Sequence, residues 1–492
     1  MRDASQELGE RIASVLALDP SAPALEFERR WRSWGELGVT ARSVAAQLPI
    51  AGTRIGVLLR NRPALVAILI GALRAGACVV AIDPQRGALR IRREIASLDL
   101  PFVAGGPEDL ASLVGPEVAA TRLSAGDVGA AVETLRGAPP VERPTRSGVA
   151  VQMLTSGTTG TPKRVDLGYE MLVRSLGGAK HYESRRDSQL RLRSGVAVIH
   201  SPLVHVAGLF RVLQCVADAR AFALLERFTV EGWLDAVRRH RPATTSLVPA
   251  ALRMVLEADV PPDDLRSLRS VVSGTAPLAA ADAEAFTARY GIPVLATYGA
   301  TEFGGGVAGW NLADHQRHWE AKRGSVGRAH PGCELRVVDP ESGAVLAADA
   351  EGLLEVRSEQ LGAGGAWVRT TDLARIDADG FLWILGRADQ IIIRGGFKVR
   401  PDDVRAALER DPRVRGAAVV GRPDARLGAV PVAAVELRQG ASPVSAQDLL
   451  DHASATLARY ELPVELRIVD ALPRTSSAKV DLAAVRALFA EA

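Results

Sequence analysis

Only three of the 492 residues are cysteine, Cys78, Cys215 and Cys333, and they stand far apart. An odd number without metal-ligand spacing excludes a disulfide scaffold and a cysteine-built metal site; it fits a reducing compartment, so a cytoplasmic location is expected. Charge of one sign is lacking as well. The chain carries 60 Lys and Arg against 57 Asp and Glu, a formal net charge of +3, which is too even for a nucleic-acid-binding surface. The longest apolar run, residues 64–73, is too short to span a membrane. The opening stretch MRDASQELGERIASVL has charges throughout and no apolar signal core. His315 and His318 form a pair on a polar segment with no cysteine nearby, and they read as surface residues, not metal ligands. There is no internal repeat and no low-complexity tract.

What the chain does have is one dense stretch of hydroxyls and glycines. Thr155-Ser156-Gly157-Thr158-Thr159-Gly160-Thr161-Pro162-Lys163 follows the apolar run Val149-Ala150-Val151-Gln152-Met153-Leu154, which reads as a strand. Glycines let a backbone turn sharply and bring its N–H groups close to an anion. Hydroxyls add donors and the lysine adds a mobile cation. Such a loop suits a polyphosphate. It is not a Walker loop: Pro162 stands where the second glycine belongs, and Lys163 is followed by Arg164 in place of Ser or Thr.

From residue 54 onward, strands and helices alternate. Strands at 54–59 and 78–82 flank a helix at 63–75, and residues 136–144, rich in proline, mark a junction. The alternation resumes with strands ending at 154, 200, 248, 273 and 297 and helices at 206–217, 232–240 and 278–290, the last stopped by Gly291 as a left-handed cap. This predicts parallel sheets with helices packed on their faces. The strand at 270–273 leads into Gly274-Thr275-Ala276-Pro277, and that at 294–297 delivers Tyr298-Gly299-Ala300-Thr301-Glu302. Ligands of open α/β sheets gather beyond the carboxyl ends of strands, so the three motifs are expected to face one crevice. After residue 324 short strands at 334–338, 352–357 and 381–384 predict a small β-rich subdomain. A separate α+β unit follows from about 389, with Pro401 in a first helical turn, strands at 416–420, 430–437 and 464–469, and a helix near 446–460. The fold class is α/β: a large N-terminal domain, 1–386, of doubly wound α/β subdomains plus the small β-rich subdomain, and a smaller α+β C-terminal domain, 387–492.

Further motifs follow in order. Glu302 is a hard oxygen ligand suited to Mg²⁺ beside phosphates. Thr371-Asp372 precedes Gly386-Arg387-Ala388-Asp389, and a carboxylate such as that of Asp372 accepts two vicinal hydroxyls at once. Then come Ile393-Arg394-Gly395-Gly396-Phe397-Lys398 and, near the end, Pro473-Arg474-Thr475-Ser476-Ser477-Ala478-Lys479. Together, over about 34–488, these motifs resemble the adenylate-forming superfamily of acyl-CoA synthetases, peptide-synthetase adenylation domains and firefly luciferase. The resemblance implies a nucleotide site made of Thr155, Ser156, Gly157, Thr158, Thr159, Gly160, Thr161, Lys163, Gly274, Thr275, Ala276, Pro277, Tyr298 on adenine, Gly299, Thr301 at the α-phosphate, Glu302 at Mg²⁺, and Asp372 and Arg387 at the ribose. It implies that Lys479 bridges the substrate carboxylate and the nucleotide, that Asp389 is the hinge of a mobile C-terminal domain, and that Gly395 and Gly396 line a pantetheine channel. The chain departs from the family at Ala478 for the usual glycine, at Ala429 after Gly428 where many relatives carry Glu, and at Arg164, where Lys-Gly is commoner.

Ser201-Pro202-Leu203-Val204-His205-Val206-Ala207-Gly208-Leu209 resembles the P-L-x-H-x-x-G-L motif of acyl- and aryl-CoA ligases, in which the His lines the acyl pocket. This implies pocket residues His205, Val206, Gly208 and Leu209. No Asp occurs between His200 and Gln214 to pair with a substrate ammonium, so the acid is expected to lack an α-amino group. Gly304, Gly305 and Gly306 should border the same pocket and leave it apolar and roomy, fit for an aromatic, alicyclic or medium-chain acid. Arg86 lies near where some relatives hold the CoA 3′-phosphate. The expected enzyme is an AMP-forming acyl-CoA ligase using ATP, Mg²⁺, coenzyme A and a small-molecule carboxylic acid, with catalytic residues Lys479, Glu302, Thr301 and His205. The alternatives are a carrier-protein phosphopantetheine as acceptor, and a non-catalytic nucleotide-binding relative, which would have lost Lys479, Glu302 or the loop.

Overall fold

The computed structural model describes residues 3–135, 145–155, 163–178, 190–358, 361, 365–475 and 479–490, without the side chains of Thr155 and Gly178. The architecture is mixed α/β, in two units. The first comprises Met1–Thr155, Pro162–Glu334 and Arg357–Ala366; the second includes Leu335–Val356 and Trp367–Ala492. The small sheet expected after residue 324 thus groups with the C-terminal segment, and the 386/387 boundary lies inside the second unit.

The first unit is centred on a seven-stranded sheet. Its middle is Arg54–Leu58, β1 (Cys78–Ile82) and β2 (Val149–Thr155), all parallel. Every residue of β1 is buried, as a continuous Val/Ile run should be when helices cover both faces. The helix Pro63–Arg74, started by its proline, is buried from Pro63 to Leu73. It is followed, after β1, by α1 (Ala88–Leu98). The sheet ends at β3 (Lys163–Gly168), antiparallel to β2, after which α2 (Tyr169–Gly178) begins at once. The alternation pattern predicts parallel sheets. The β2–β3 pair departs from it because the connection is far too short for the crossover that parallel strands need.

The helices Ala4–Leu18 and Trp34–Gln47 lie ahead of the alternating region and start on side-chain caps, Asp3 accepting from Ser5 N and Ser33 with Glu36 forming a capping box. Pro23–Phe27 and Arg30–Ser33 join Arg193–Ile199 and Arg220–Leu224 in a four-stranded sheet, beside which α3 (Val206–Ala217) packs. A five-stranded sheet runs Thr244–Ser246, Ser270–Ser273, β4 (Val294–Ala300), β5 (Gly305–Gly309) and Arg328–Ala329. Its first three strands are parallel, and β5 turns back antiparallel to β4. The helix Ala280–Tyr290 stops at Gly291, whose φ of 67° is the expected left-handed cap.

The second unit holds most of a four-stranded sheet, Cys333–Val338, Glu351–Ser358, Val368–Ile376 and Leu382–Arg387. A further sheet is made of β6 (Ile392–Arg394), β7 (Phe397–Val399), Val414–Asp424 and Gly428–Leu437, with Glu465–Val469 parallel to the last. Helices Pro401–Leu408 and Ala446–Ser454 close its core through Val404, Leu408 and Leu449 against Val419 and Val435. The second helix is shorter than its 446–460 expectation. Among the described residues no helix is long and apolar enough to cross a membrane.

Candidate active site

Three strand ends of the first unit lead into the motifs read from the sequence. β2 and β3 pair from Val149 with Gly168 to Thr155 with Lys163, so residues 156–162 connect the strands of a hairpin. Ser156, Gly157, Thr158, Thr159, Gly160, Thr161 and Pro162 lie outside the described residues. Lys163 opens β3.

The second strand end is that of Ser270–Ser273. A Cβ on Gly274 would stand 2.7 Å from Thr297 Cγ2 and 3.0 Å from Thr297 O, so only glycine passes β4 so closely. Thr275 has a φ of 71°, a left-handed conformation rare for a β-branched residue. The Oγ of Ser273 is buried with no hydrogen-bond partner among the described residues. A strained threonine and an unsatisfied hydroxyl thus meet at one turn, and such features cluster at functional sites.

The third leads into the acidic motif. β4 continues through Tyr298 and Gly299 to Ala300, and Thr301–Phe303 form a single 3₁₀ turn capped by Gly304 at φ 68°, whose N–H donates to Thr301 O at 3.0 Å. Gly299 faces β5 so tightly that a Cβ would meet Gly305 O at 2.3 Å. Buried Phe303 anchors the turn and leaves Glu302 exposed beside half-buried Thr301. Tyr298 is half-buried, its ring centroid 6.5 Å from that of Phe303. β3 packs against this turn, so the strand that begins at Lys163 and the turn that bears Thr301 and Glu302 are neighbours. No three metal-ligating side chains converge among the described residues. One exposed carboxylate fits Mg²⁺, which keeps most of its shell for water and substrate phosphates.

The acyl-pocket candidates lie on α3 and β5, which pack together. His205 is the N-cap residue of α3, half-buried, and its carbonyl accepts from Leu209 N at 3.0 Å. Gly208 is required by close approach, since a Cβ would meet Pro202 O at 2.2 Å. Val206 is half-buried and Leu209 is wholly buried in the main core. The space left by two of the three glycines is already taken. A Cβ on Gly304 would meet Met171 Sδ at 2.5 Å, and one on Gly306 would meet Thr297 Oγ1 at 3.2 Å and His330 Nε2 at 3.5 Å. Met171, on α2, and His330, after the last strand of this sheet, carry no motif; only the folded sheet shows them beside the glycines. Burial pushes the His330 imidazole down to about 4. Arg86 pairs with Glu94 at 3.4 Å.

In the second unit Asp372 and Arg387 are directly opposed across two antiparallel strands. Arg387 Nη1 lies 3.9 Å from Asp372, Nη2 donates to Thr371 Oγ1, and Nε lies 3.0 Å from Asp389 Oδ1. The structure therefore brings the expected ribose residues and the expected hinge residue to one guanidinium. Gly395 and Gly396, at φ 56° and 90°, form the two-residue turn between β6 and β7, a hairpin type that requires such angles. Arg394 braces it by donating to Tyr460 O at 2.8 Å, and Phe397 stacks on Tyr460 with ring centroids 4.6 Å apart. Lys479 is half-buried, its carbonyl accepting from Thr475 N at 2.8 Å, while residues 476–478 lie outside the described residues.

One surface expectation fails. His315 is buried, stacked on Trp319 at 4.8 Å and edge-on to Trp310, because the helix Leu312–His318 turns that side inward.

The AMP-binding enzyme family model matches residues 13–364, and that of the AMP-binding enzyme C-terminal domain matches 403–479. The indoleacetate–CoA ligase of Aromatoleum aromaticum is 30% identical over 515 residues, covering 98% of both chains. The sulfoacetate–CoA ligase of Cupriavidus necator is 30% identical over 469 residues, covering 90% of this chain and 89% of its own. Among solved structures, the amide bond synthetase McbA of Marinactinospora thermotolerans is 27% identical with a TM-score of 0.79, covering 98% of this chain and all of its own.

Proposed function

The chain belongs to the AMP-binding enzyme family, and on that premise we propose that it activates an apolar aromatic, alicyclic or medium-chain carboxylic acid through the residues described above. It is an AMP-forming acyl-CoA synthetase, an ATP-dependent acid–thiol ligase that uses Mg²⁺ and coenzyme A. The observation that carries the assignment of residues is the packing of β3 on the Thr301–Phe303 turn, which puts Lys163 and Glu302 on adjoining elements.

In the first half-reaction a carboxylate oxygen of the acid attacks the α-phosphorus of ATP, the bond to the bridging oxygen breaks, and pyrophosphate leaves. Residues 155–163 hold the β- and γ-phosphates with backbone N–H groups, hydroxyls and Lys163. Thr301 donates to the α-phosphate, and Tyr298 covers the adenine. Glu302 would hold Mg²⁺, which when bound offsets phosphate charge. Lys479 aligns the two anions and stabilises the charge that develops between them. No protein nucleophile is needed. Asp372 and Arg387 hold the ribose.

In the second half-reaction the thiol sulfur attacks the acyl carbon and AMP leaves. The segment from 387 turns about Asp389, withdraws Lys479 and presents the Gly395-Gly396 turn to the thiol. His205 and the α3–β5 face line the acyl pocket. The strongest support for an apolar acid is the set of residues around the glycines: Val206 on α3, Met171 of α2 at Gly304, and at Gly306 the imidazole of His330, which burial keeps neutral. An arylacetic acid such as that named for the Aromatoleum relative falls within this class. The three cysteines are free and buried, which is compatible with the cytoplasmic setting, where thiols stay reduced, that we propose for this protein.

Pyrophosphate release over a panel of carboxylic acids, with and without CoA, tests the reading. Release with arylacetic, cinnamic-type or medium-chain acids, and thioester only when CoA is added, is the expected pattern. Release confined to small polar acids would refute the pocket. Acyl transfer to a carrier-protein phosphopantetheine in preference to CoA would replace the acceptor while keeping the first step.

A further inference from the structure

Arg164 stands one residue beyond Lys163 on β3, opposite Leu154 of β2. Among the described residues β3 is the outer strand of its sheet and pairs with β2 alone. An edge strand held along one side is the least restrained part of a sheet. The Arg164 side chain is only 16% exposed, because it turns inward beneath β2. Its Nη1 donates to Ala81 O of β1 at 3.0 Å and lies 3.5 Å from Gln152 O of β2. Its Nη2 pairs with the carboxylate of Glu94 on α1, itself 17% exposed. One guanidinium thus ties the outer strand to the next two strands and to the helix behind them. Glu94 in turn receives Arg86 from the loop after β1. Lower in the same strand, Gln152 and Asp166 make a cross-strand bond at 2.7 Å, so β3 is fixed at two heights, and the upper one adjoins Lys163.

We propose that Arg164, anchored by Glu94, is a positioning residue for ATP: it fixes the register of the β2–β3 pair and so holds Lys163 in place for the terminal phosphates. The proposal rests on the reading of residues 155–163 as the phosphate loop. Its specific consequence follows from which part of the nucleotide the loop would hold. A loosened β2–β3 pair loses grip on the β- and γ-phosphates, whereas AMP lacks both and does not register the change. A general loss of structure weakens the two nucleotides alike.

The test is isothermal titration of MgATP and of AMP into the full-length protein and four variants. Arg164→Met is expected to weaken MgATP about tenfold, as loss of a buried charged hydrogen-bond network does, and to leave AMP within about twofold of wild type. Arg164→Lys, which keeps the charge but cannot reach Ala81 and Glu94 together, should recover part of the loss. Glu94→Gln should shift MgATP in the same direction by a smaller factor. Arg164→Met binding MgATP like wild type, or losing MgATP and AMP equally, overturns the proposal. If Arg164→Met fails to fold, the Glu94→Gln ratio of MgATP to AMP affinity decides, and an unchanged ratio overturns it. Lys163→Ala separates the two levels. Normal MgATP affinity in that variant overturns the loop reading itself; weakened MgATP there with unaltered Arg164 and Glu94 variants overturns only the positioning role.

Discussion

The guanidinium of Arg387 holds the carboxylate of Asp389 along one edge, with Nε 3.0 Å from Oδ1 and Nη2 3.1 Å from Oδ2. The same group reaches Thr371 and Asp372 on the neighbouring strand. A planar fork can serve a carboxylate on one edge and hydroxyls on another, which an ammonium cannot. If Arg387 also serves the ribose, then nucleotide binding and the conformation at Asp389 draw on one side chain.

Arg387→Lys is therefore expected to lower AMP affinity and to slow the release of thioester from a preformed acyl-adenylate, each by about tenfold. Titration of AMP and single-turnover thioester formation measure the two effects. A variant that slows thioester formation yet binds AMP normally would confine Arg387 to the turn at Asp389.

Lys479 has a sharper signature. Lys479→Ala should reduce acyl-adenylate formation by roughly 10²–10³, the usual effect of removing one positioned charge from a transition state. It should leave the conversion of supplied acyl-adenylate to thioester nearly intact, because Lys479 is withdrawn before the thiol attacks and takes no part in the departure of AMP. Pyrophosphate release and thioester formation, assayed apart, check this. Equal loss of both would remove the division of labour between the half-reactions.

The helices and strands of the central sheets were legible because their cues are local: a buried Val/Ile run at Cys78–Ile82, a proline start at Pro63, a glycine stop at Gly291. Two of the nucleotide motifs and the acyl motif carry a similar local cue, a glycine that the fold leaves no room to replace. Gly274, Gly299 and Gly208 all lie against backbone or side chain where a Cβ has no room. What the sequence hid is what comes from far along the chain. Met171 reaches Gly304, His330 reaches Gly306, and Arg164 reaches Ala81 and Glu94, in each case between residues whose spacing carries no pattern. The antiparallel return of β5 was hidden as well, because a run of glycines carries no strand signal, and only the fold pairs Gly305 and Gly306 with Ala300 and Gly299.

Those long-range contacts move the expected control of acid size. Because Met171 fills the space beside Gly304, Met171→Ala should enlarge the acyl pocket and raise kcat/KM for bulkier acids relative to smaller ones by about tenfold, the range set by a few methylenes in an apolar pocket. Gly305→Trp should act in the opposite sense, abolishing use of bulky acids while sparing small ones. Competition assays between a short and a long acid report both. An unchanged ratio in the two variants would remove this face from the pocket.

His330 gives the protein a pH dependence whose sign is fixed by burial. Desolvation lowers its folded-state value from 6.5 to about 4, so between those limits the unfolded chain binds more protons than the folded one. Stability from this group is fully present above pH 6.5 and is lost as pH falls toward 4. His330→Gln, which cannot take up the proton, should show a shallower decline in urea midpoint over that window than wild type, with the two curves parallel above pH 7. Acid-side carboxylates contribute equally to both proteins and cancel in the difference. A wild-type curve that stays parallel to the variant from pH 7 down to 4 would mean that the imidazole protonates as freely in the fold as in water, and that the face it shares with Gly306 is wet.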